Sequence, residues 1–282
     1  MSTERCSDLS REAGEPLHAT ATTAVSWLLL EVPGSWPRDV SAPEALPPVA
    51  RQAVDEWLLR TPASRLLFLR RPARADGGPP ATFLVRAEEG KGVVRRLELS
   101  SHEELASFDL ERDGRPDEGP LVLVCGHGSR DSCCALRGTA VFTALAGAVD
   151  EDALWISSHH GGHRFAANVL VLPAGLHFGR VEPEDAHRIV TRALAGRIEL
   201  GNYRGRTCYE PAVQAAEHAV RVAAGLEGVG DLRLLGADDD TVRFASAART
   251  YTASVEALAG PVLPASCGAA PGPQPVLAAR LG

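Results

Sequence analysis

Two short segments rich in cysteine, histidine and glycine constrain this 282-residue chain more than any other feature. The first spans residues 125–134 and reads CGHGSRDSCC, and the second spans residues 159–163 and reads HHGGH. Each follows directly on a run of apolar residues that predicts a buried strand, over 120–124 and 153–157. Ligands of α/β proteins bind in the loops at the carboxyl ends of strands. If the two strands are neighbours, we therefore expect both segments to open on the same edge of the sheet.

The donor types in these segments indicate a metal centre. Two thiolates and two imidazoles suit either a tetrahedral zinc ion or a Rieske-type [2Fe–2S] cluster. Structural zinc sites usually place their cysteines about two to four residues apart, whereas Cys125 and Cys134 are nine positions apart and no C-x-x-C motif occurs. The longer gap favours the cluster. Spacing alone leaves open whether Cys133 or Cys134, and whether His159 or His160, is a ligand.

The order of predicted elements indicates an α/β protein in three parts. Residues 1–115 predict a mixed α/β domain, residues 116–205 a thioredoxin-like domain, and residues 206–282 a small α+β region that ends in a tail rich in proline and glycine. The middle part has the order β-α-β-β-β-α, the skeleton of a thioredoxin-like fold. The first part has the same predicted order, so an internal duplication is a hypothesis. It requires a central sheet with helices on both faces in the first third.

Composition limits the class of partner. The formal net charge of −7 argues against a nucleic-acid partner and an anionic membrane surface. The apolar stretches are too short to span a bilayer, and the polar first residues predict no signal peptide. We therefore expect a cytoplasmic protein with no membrane partner, whose six cysteines stay reduced.

The two segments resemble those of the sucrase/ferredoxin-like family, a branch of thioredoxin-like ferredoxins. The matching stretches are VCGHGSRDSCCALRG over 124–138 and SSHHGGHRFAANVLVLPAGLHFGRV over 157–181. A weaker resemblance covers WLLLEVPGSW and GRIELGNYRGRTCYEPAVQAAE. Carried over residue by residue, it implies a [2Fe–2S] cluster bound by Cys125, Cys134, His159 and His163. The middle part would then be a thioredoxin-like [2Fe–2S] ferredoxin domain.

The function expected from this resemblance is electron transfer rather than enzymatic turnover. The chain would be an electron carrier or a component of a reductase, served by a redox partner protein or a small reductant, because no G-x-G-x-x-G fingerprint for nicotinamide or flavin occurs. The alternative is a zinc-stabilised thioredoxin-like binding module without redox activity. A thiol oxidoreductase is disfavoured because C-x-x-C is absent.

Several nearby residues receive simpler interpretations. Cys6, Cys208 and Cys267 are scattered, so we interpret them as structural thiols. For His127, a solvated loop histidine is favoured over a residue that supports the ligands. Asn168 is interpreted as a turn or capping residue.

Overall fold

The computed structural model describes residues 5–71, 78–238 and 240–282. Over these residues the chain forms five α-helices: α1 Cys6–Glu12, α2 Pro48–Arg60, α3 Ser132–Leu145, α4 Pro183–Leu194 and α5 Pro211–Ala224. The strands are β1 Ser26–Glu31, β2 Ser64–Arg70, β3 Ala81–Arg86, β4 Val93–Glu98, β5 Arg115–Asp117, β6 Leu121–Cys125, β7 Leu154–Ser157, β8 Val169–Leu172, β9 Leu176–Phe178, β10 Tyr203–Arg206, β11 Arg233–Asp238, β12 Thr241–Ala245, β13 Thr250–Leu258, β14 Val262–Pro264, β15 Pro271–Pro273 and β16 Val276–Leu281.

Local sequence signals account for where the longer helices begin and end. Proline occupies the first turn of α2, α4 and α5, where its missing N–H costs no helical hydrogen bond. Helix α3 begins after Asp131, whose carboxylate accepts a hydrogen bond from the backbone N–H of Cys133. Helix α5 ends at Gly225, which adopts a left-handed conformation with φ of 65°.

One sheet of ten strands crosses the first two parts of the chain. Its order is β10-β9-β8-β6-β7-β2-β1-β3-β4-β5. Strands β6 and β7 are parallel neighbours, as are β1 and β2. The antiparallel pair β2·β7 joins the two halves, with Leu69 opposite Ser157. The chain is therefore a mixed α/β protein built on a large sheet.

The strand order of β1–β5, the first half of the sheet, repeats in β6–β10, the second half. The first half nevertheless lacks the helices on both faces that the duplication hypothesis requires. The orders β2-β1-β3-β4-β5 and β7-β6-β8-β9-β10 correspond strand for strand. In the first half, α2 and the 3₁₀ turn His102–Ser107 pack on the same face, where Trp57 and Leu105 join one apolar cluster. Within the described part of the chain, no helix contributes to the cluster on the opposite face. The expected sheet with helices on both faces is therefore wrong for the first third.

The sheet curls so that this helix-free face packs on itself. Its cluster combines Trp27 and Phe83 from the first half with Leu123 and Trp155 from the second. The rings of Phe83 and Trp155 meet edge to face, with centroids 5.9 Å apart. Burial of aromatic and aliphatic side chains from both halves makes the two halves mutually dependent for stability.

The C-terminal region forms a separate layer. Helix α5 packs on the four-stranded sheet β11-β12-β13-β16 through a cluster that includes Val220 and Phe244. The tail is ordered: β16 pairs with β13, and β14 pairs with β15.

No described helix combines the length and the apolar character that a bilayer crossing requires.

Candidate metal centre

The two cysteine- and histidine-rich segments leave the same edge of the sheet. Strand β6 ends at Cys125 and β7 ends at Ser157, and these two residues are paired in the parallel register. The expectation that the strands are neighbours is confirmed. The loop after β6 leads into α3, and the loop after β7 carries the histidines.

Three of the four predicted ligands have their donor atoms close together. The Sγ atom of Cys125 lies 3.8 Å from Nδ1 of His159, and the Sγ atom of Cys134 lies 4.0 Å from the same nitrogen. All three donor atoms lie within 4.8 Å of one another. Both cysteines are buried, whereas His159 is partly exposed. The geometry is one that a metal ion or a small metal cluster can bridge.

The fourth predicted ligand, His163, lies beside this group. Its ring stacks on that of His159, with centroids 4.6 Å apart and the planes 26° apart. Its buried Nδ1 atom has no hydrogen-bond partner among the described residues. Burial, and then the neighbouring His159, lowers the pKa of His163 to about 4. The ring is therefore neutral at pH 7, the form in which imidazole binds metals.

The adjacent cysteines of α3 point to different partners. Successive helical residues are about 100° apart around the axis, so neighbours cannot face the same group. Cys134 faces Cys125 and His159, whereas Cys133 contacts Cys6 and Cys267. Spacing left both cysteines open as ligands, and the structure places Cys134, rather than Cys133, beside Cys125 and His159.

A hydrogen bond joins the two cysteines beside His159. A hydrogen bond from the Cys134 thiol stabilises the Cys125 thiolate and lowers the pKa of Cys125 well below its usual value. The same bond, followed by burial, raises the pKa of Cys134. Metal binding uses cysteines in the thiolate form, so a bound cation would release protons from this pair.

His127 supports the histidine loop from inside the protein. The side chain is buried, and its Nε2–H donates a hydrogen bond of 2.8 Å to the carbonyl oxygen of Pro37. Its Nδ1 accepts a hydrogen bond of 3.2 Å from the backbone N–H of His159. The ring of Trp36 packs edge-on against it at 5.6 Å. The interpretation of His127 as a solvated loop residue is therefore wrong.

Arg204 fixes the glycines of the histidine loop. Its fully buried guanidinium donates hydrogen bonds to the carbonyl oxygen of Gly161 at 2.9 Å and to Oδ1 of Asn168 at 2.8 Å. The Asn168 amide in turn donates to the carbonyl oxygen of Gly162 at 2.9 Å. Asn168 is therefore a buried cross-link rather than a turn or cap. Gly162 has φ of 73°, and a Cβ there would lie 2.3 Å from the Arg204 guanidinium.

Sequence reasoning did not find Arg204 as part of the site. Its only signal was its place in the weakly matching stretch GRIELGNYRGRTCYEPAVQAAE. His160, left open as a ligand by spacing, instead contacts His177, with Nδ1 and Nε2 2.9 Å apart. Burial lowers the pKa of His160 to about 4.

A cleft of about 290 Å³ opens beside His159. Three arginines, Arg38, Arg65 and Arg130, line it together with His127 and His159. Their positive charge favours a negatively charged centre at the neighbouring thiolates. Within the described residues no ion pair joins Arg130 to Asp131, and the Asp131 carboxylate instead caps α3.

Comparison with curated proteins finds relatives that match only part of this chain. A protein of Meyerozyma guilliermondii named Altered inheritance of mitochondria protein 32 is 31% identical over 153 residues, which is 48% of this chain and 54% of the relative. The protein of the same name from Eremothecium gossypii is 34% identical over 106 residues, 33% of this chain and 34% of the relative. The chain thus spans about half or less of the length of these relatives. No solved structure matches the chain.

These relatives correct the expected function. The name that these relatives carry does not describe a [2Fe–2S] electron carrier. The expectation of an iron–sulfur electron-transfer protein, acting as a carrier or as part of a reductase, is therefore wrong. The expected role in electron transport is wrong for the same reason.

The family comparison covers most of the chain. The family model described as sucrase/ferredoxin-like matches residues 17–205, which include both metal-centre loops and Arg204. That description carries no indication of redox activity. Because the match spans more than half of the sequence, this chain belongs to the sucrase/ferredoxin-like family.

Proposed function

We propose that this protein binds a metal centre through Cys125, Cys134, His159 and His163. The observation that carries the proposal is the meeting of two buried sulfurs and one imidazole nitrogen within 4.8 Å, on loops from two neighbouring strands. Thiolates and imidazoles are the donors that zinc, copper and iron–sulfur centres use in proteins. A bound centre would join the loop after β6 to the loop after β7.

The fourth predicted ligand, His163, also suits a metal. His163 keeps a buried nitrogen without a hydrogen-bond partner in the described structure, an unusual state for a polar atom. A metal bond would satisfy it. The ring is already neutral and already stacked on His159, so little rearrangement is needed.

As the form of the centre we propose a [2Fe–2S] cluster. The donors fall into two like pairs: the sulfurs of Cys125 and Cys134 lie together beside His159, and the rings of His159 and His163 stack. A cluster with two cysteines on one iron and two histidines on the other takes such a grouping. A single zinc ion is the other centre that these donors can bind.

A thioredoxin-like ferredoxin arrangement of the second half belongs to the same proposal. Its support is the element order β6-α3-β7-β8-β9-α4 together with the strand order β7-β6-β8-β9. The proposed setting is a reducing compartment such as the cytoplasm. It is supported by the six cysteines, all of which are free thiols.

The test is metal and sulfide analysis of protein purified without oxygen. The variants are Cys125→Ser, Cys134→Ser, His159→Ala and His163→Ala. Cys208→Ser is the control, since Cys208 lies outside the candidate metal centre. We expect about two irons and two sulfides per chain in wild type and control, and their loss in the cysteine and histidine variants. Zinc without sulfide, lost in the same variants, would overturn the cluster but keep the site. Equal metal content in all five variants would overturn the site.

A further inference from the structure

A second group of cysteines lies on the other side of the first turn of α3. Cys6 begins α1, Cys133 lies in the first turn of α3, and Cys267 lies between β14 and β15. Their sulfurs form a triangle with sides of 3.7 Å (Cys6 to Cys133), 3.3 Å (Cys133 to Cys267) and 3.6 Å (Cys267 to Cys6). The sequence gives no hint of this group, which we call the three-thiol cluster.

The sides of the triangle distinguish metal binding from a disulfide. A disulfide bond is about 2.05 Å long and joins only two sulfurs. Three thiolates on one tetrahedral zinc ion, with bonds of about 2.3 Å, lie about 3.8 Å apart. The observed separations of 3.3–3.7 Å are close to that value on all three sides.

A carboxylate stands at the fourth position. Oδ2 of Asp131 lies 3.9 Å from the Cys6 sulfur, and it and the three sulfurs all lie within 4.8 Å of one another. The same oxygen accepts a hydrogen bond of 2.9 Å from the backbone N–H of Cys267. Zinc accepts three sulfurs and one oxygen in tetrahedral sites.

Hydrogen-bond donors reach two of the three sulfurs in the three-thiol cluster. The Ser7 hydroxyl donates to the Cys133 sulfur at 3.3 Å, and the Ser132 hydroxyl donates to the Cys267 sulfur at 3.6 Å. Cys133 also lies at the N-terminus of the fourteen-residue helix α3, whose dipole favours negative charge.

We propose that Cys6, Cys133, Cys267 and Asp131 bind one zinc ion. This ion fastens the N-terminal helix α1 and the C-terminal loop at Cys267 to the start of α3. It makes Cys133 and Cys134 ligands of two separate centres on one helical turn. The inference does not rest on the proposed function, since none of its four ligands belongs to the candidate metal centre.

Zinc analysis of variants separates the two sites. The experiment compares wild type with Cys6→Ser and Cys267→Ser, with Cys134→Ser, and with Cys208→Ser as the matched control, because Cys208 and Cys267 are both partly exposed. After dialysis against zinc under reducing conditions, we expect Cys6→Ser and Cys267→Ser to hold one zinc less per chain than wild type and control. Cys134→Ser keeps this zinc even if it loses the other centre. Unchanged zinc in Cys6→Ser and Cys267→Ser would overturn the proposal.

A measurement on the wild-type protein covers the case in which the variants do not fold. Thiols are alkylated with and without bound zinc, and the modified cysteines are located by mass spectrometry. We expect zinc to slow alkylation of Cys267 at least tenfold and to leave Cys208 unchanged. Equal alkylation of Cys267 in both conditions, or a disulfide within the three-thiol cluster in the reduced protein, would contradict zinc binding.

Discussion

The backbone N–H of His159 donates a hydrogen bond of 3.2 Å to Nδ1 of His127, so one buried histidine positions another that is predicted to bind metal. His127 is held in turn by its bond to the carbonyl oxygen of Pro37. Residues that orient metal ligands in this way typically change metal affinity by about 10- to 100-fold when they are replaced.

Replacement of His127 by alanine should therefore weaken metal retention without removing a ligand. We expect His127→Ala to lose its metal to a competing chelator at a concentration about 10- to 100-fold lower than wild type requires. Titration with the chelator measures this directly. His187→Ala, on the exposed side of α4, is the matched control. An unchanged chelator midpoint in His127→Ala would show that this hydrogen bond does not position the site.

Arg204 should matter for stability as well as for the histidine loop. Nη1 of Arg204 donates to Gly161 and Asn168 while its Nε donates to the Thr20 hydroxyl at 3.0 Å. The single nitrogen of lysine cannot serve both directions. We expect Arg204→Lys to lower the free energy of unfolding by about 3 kcal/mol, measured by urea denaturation. Arg188→Lys, in a half-exposed ion pair of α4, should change it by less than about 0.5 kcal/mol. Equal effects of the two substitutions would refute this role of Arg204.

The ion pair between Glu217 and Arg221 is fully buried, with N and O atoms 3.0 Å apart. The Tyr203 hydroxyl also donates to Glu217, at 2.9 Å. Glu217→Ala leaves the arginine charge without its partner, so we expect a loss of about 3–5 kcal/mol in the free energy of unfolding. Glu256→Ala, which breaks the exposed pair with Arg280, should cost at most about 1 kcal/mol. Chemical denaturation of both variants decides the comparison, and a loss below about 1 kcal/mol in Glu217→Ala contradicts it.

Acid should destabilise the protein partly through His218 on α5. Burial, and then the stacked ring of His18 at 4.6 Å, lowers the pKa of His218 to about 4, against the opposing effect of Glu217. In the unfolded chain the pKa of this histidine is near 6.5, so the unfolded state takes up a proton before the folded state does as the pH falls. The free energy of unfolding therefore decreases from about pH 6.5 to about pH 4 and this contribution levels off below that range.

Removal of this histidine should flatten that decrease. Over the same pH range, we expect the free energy of unfolding of His218→Gln to fall by about 1 kcal/mol less than that of wild type. This difference allows for solvent screening, because the ring is partly exposed. Denaturation curves at several pH values measure the difference. Parallel pH profiles for the two proteins would rule out a contribution from His218.

Local signals in the sequence mark the ends of helices. Helix α5 begins at Pro211 and ends before Gly225, because proline and glycine act within one turn of chain. The apolar runs predicted the strands β6 and β7, and the structure pairs them in parallel and so brings Cys125 near His159. The boundaries of the three predicted domains stay predictions.

Contacts between distant parts of the chain could not be read from the sequence. Cys6 and Cys133 are 127 positions apart, and no periodic pattern relates residues at that distance. The antiparallel pairing of β2 with β7 likewise joins distant residues, such as Leu69 and Ser157. His127 was misjudged because its burial depends on Pro37 and Trp36, which lie about 90 positions away.

The ligands of the candidate metal centre can be identified directly by X-ray absorption at the metal edge. We expect both sulfur and nitrogen neighbours around the bound metal, with the nitrogen contribution reduced in His159→Ala and His163→Ala and the sulfur contribution reduced in Cys125→Ser and Cys134→Ser. A metal environment without nitrogen, or one that is unchanged in all four variants, would show that these four residues do not bind the metal.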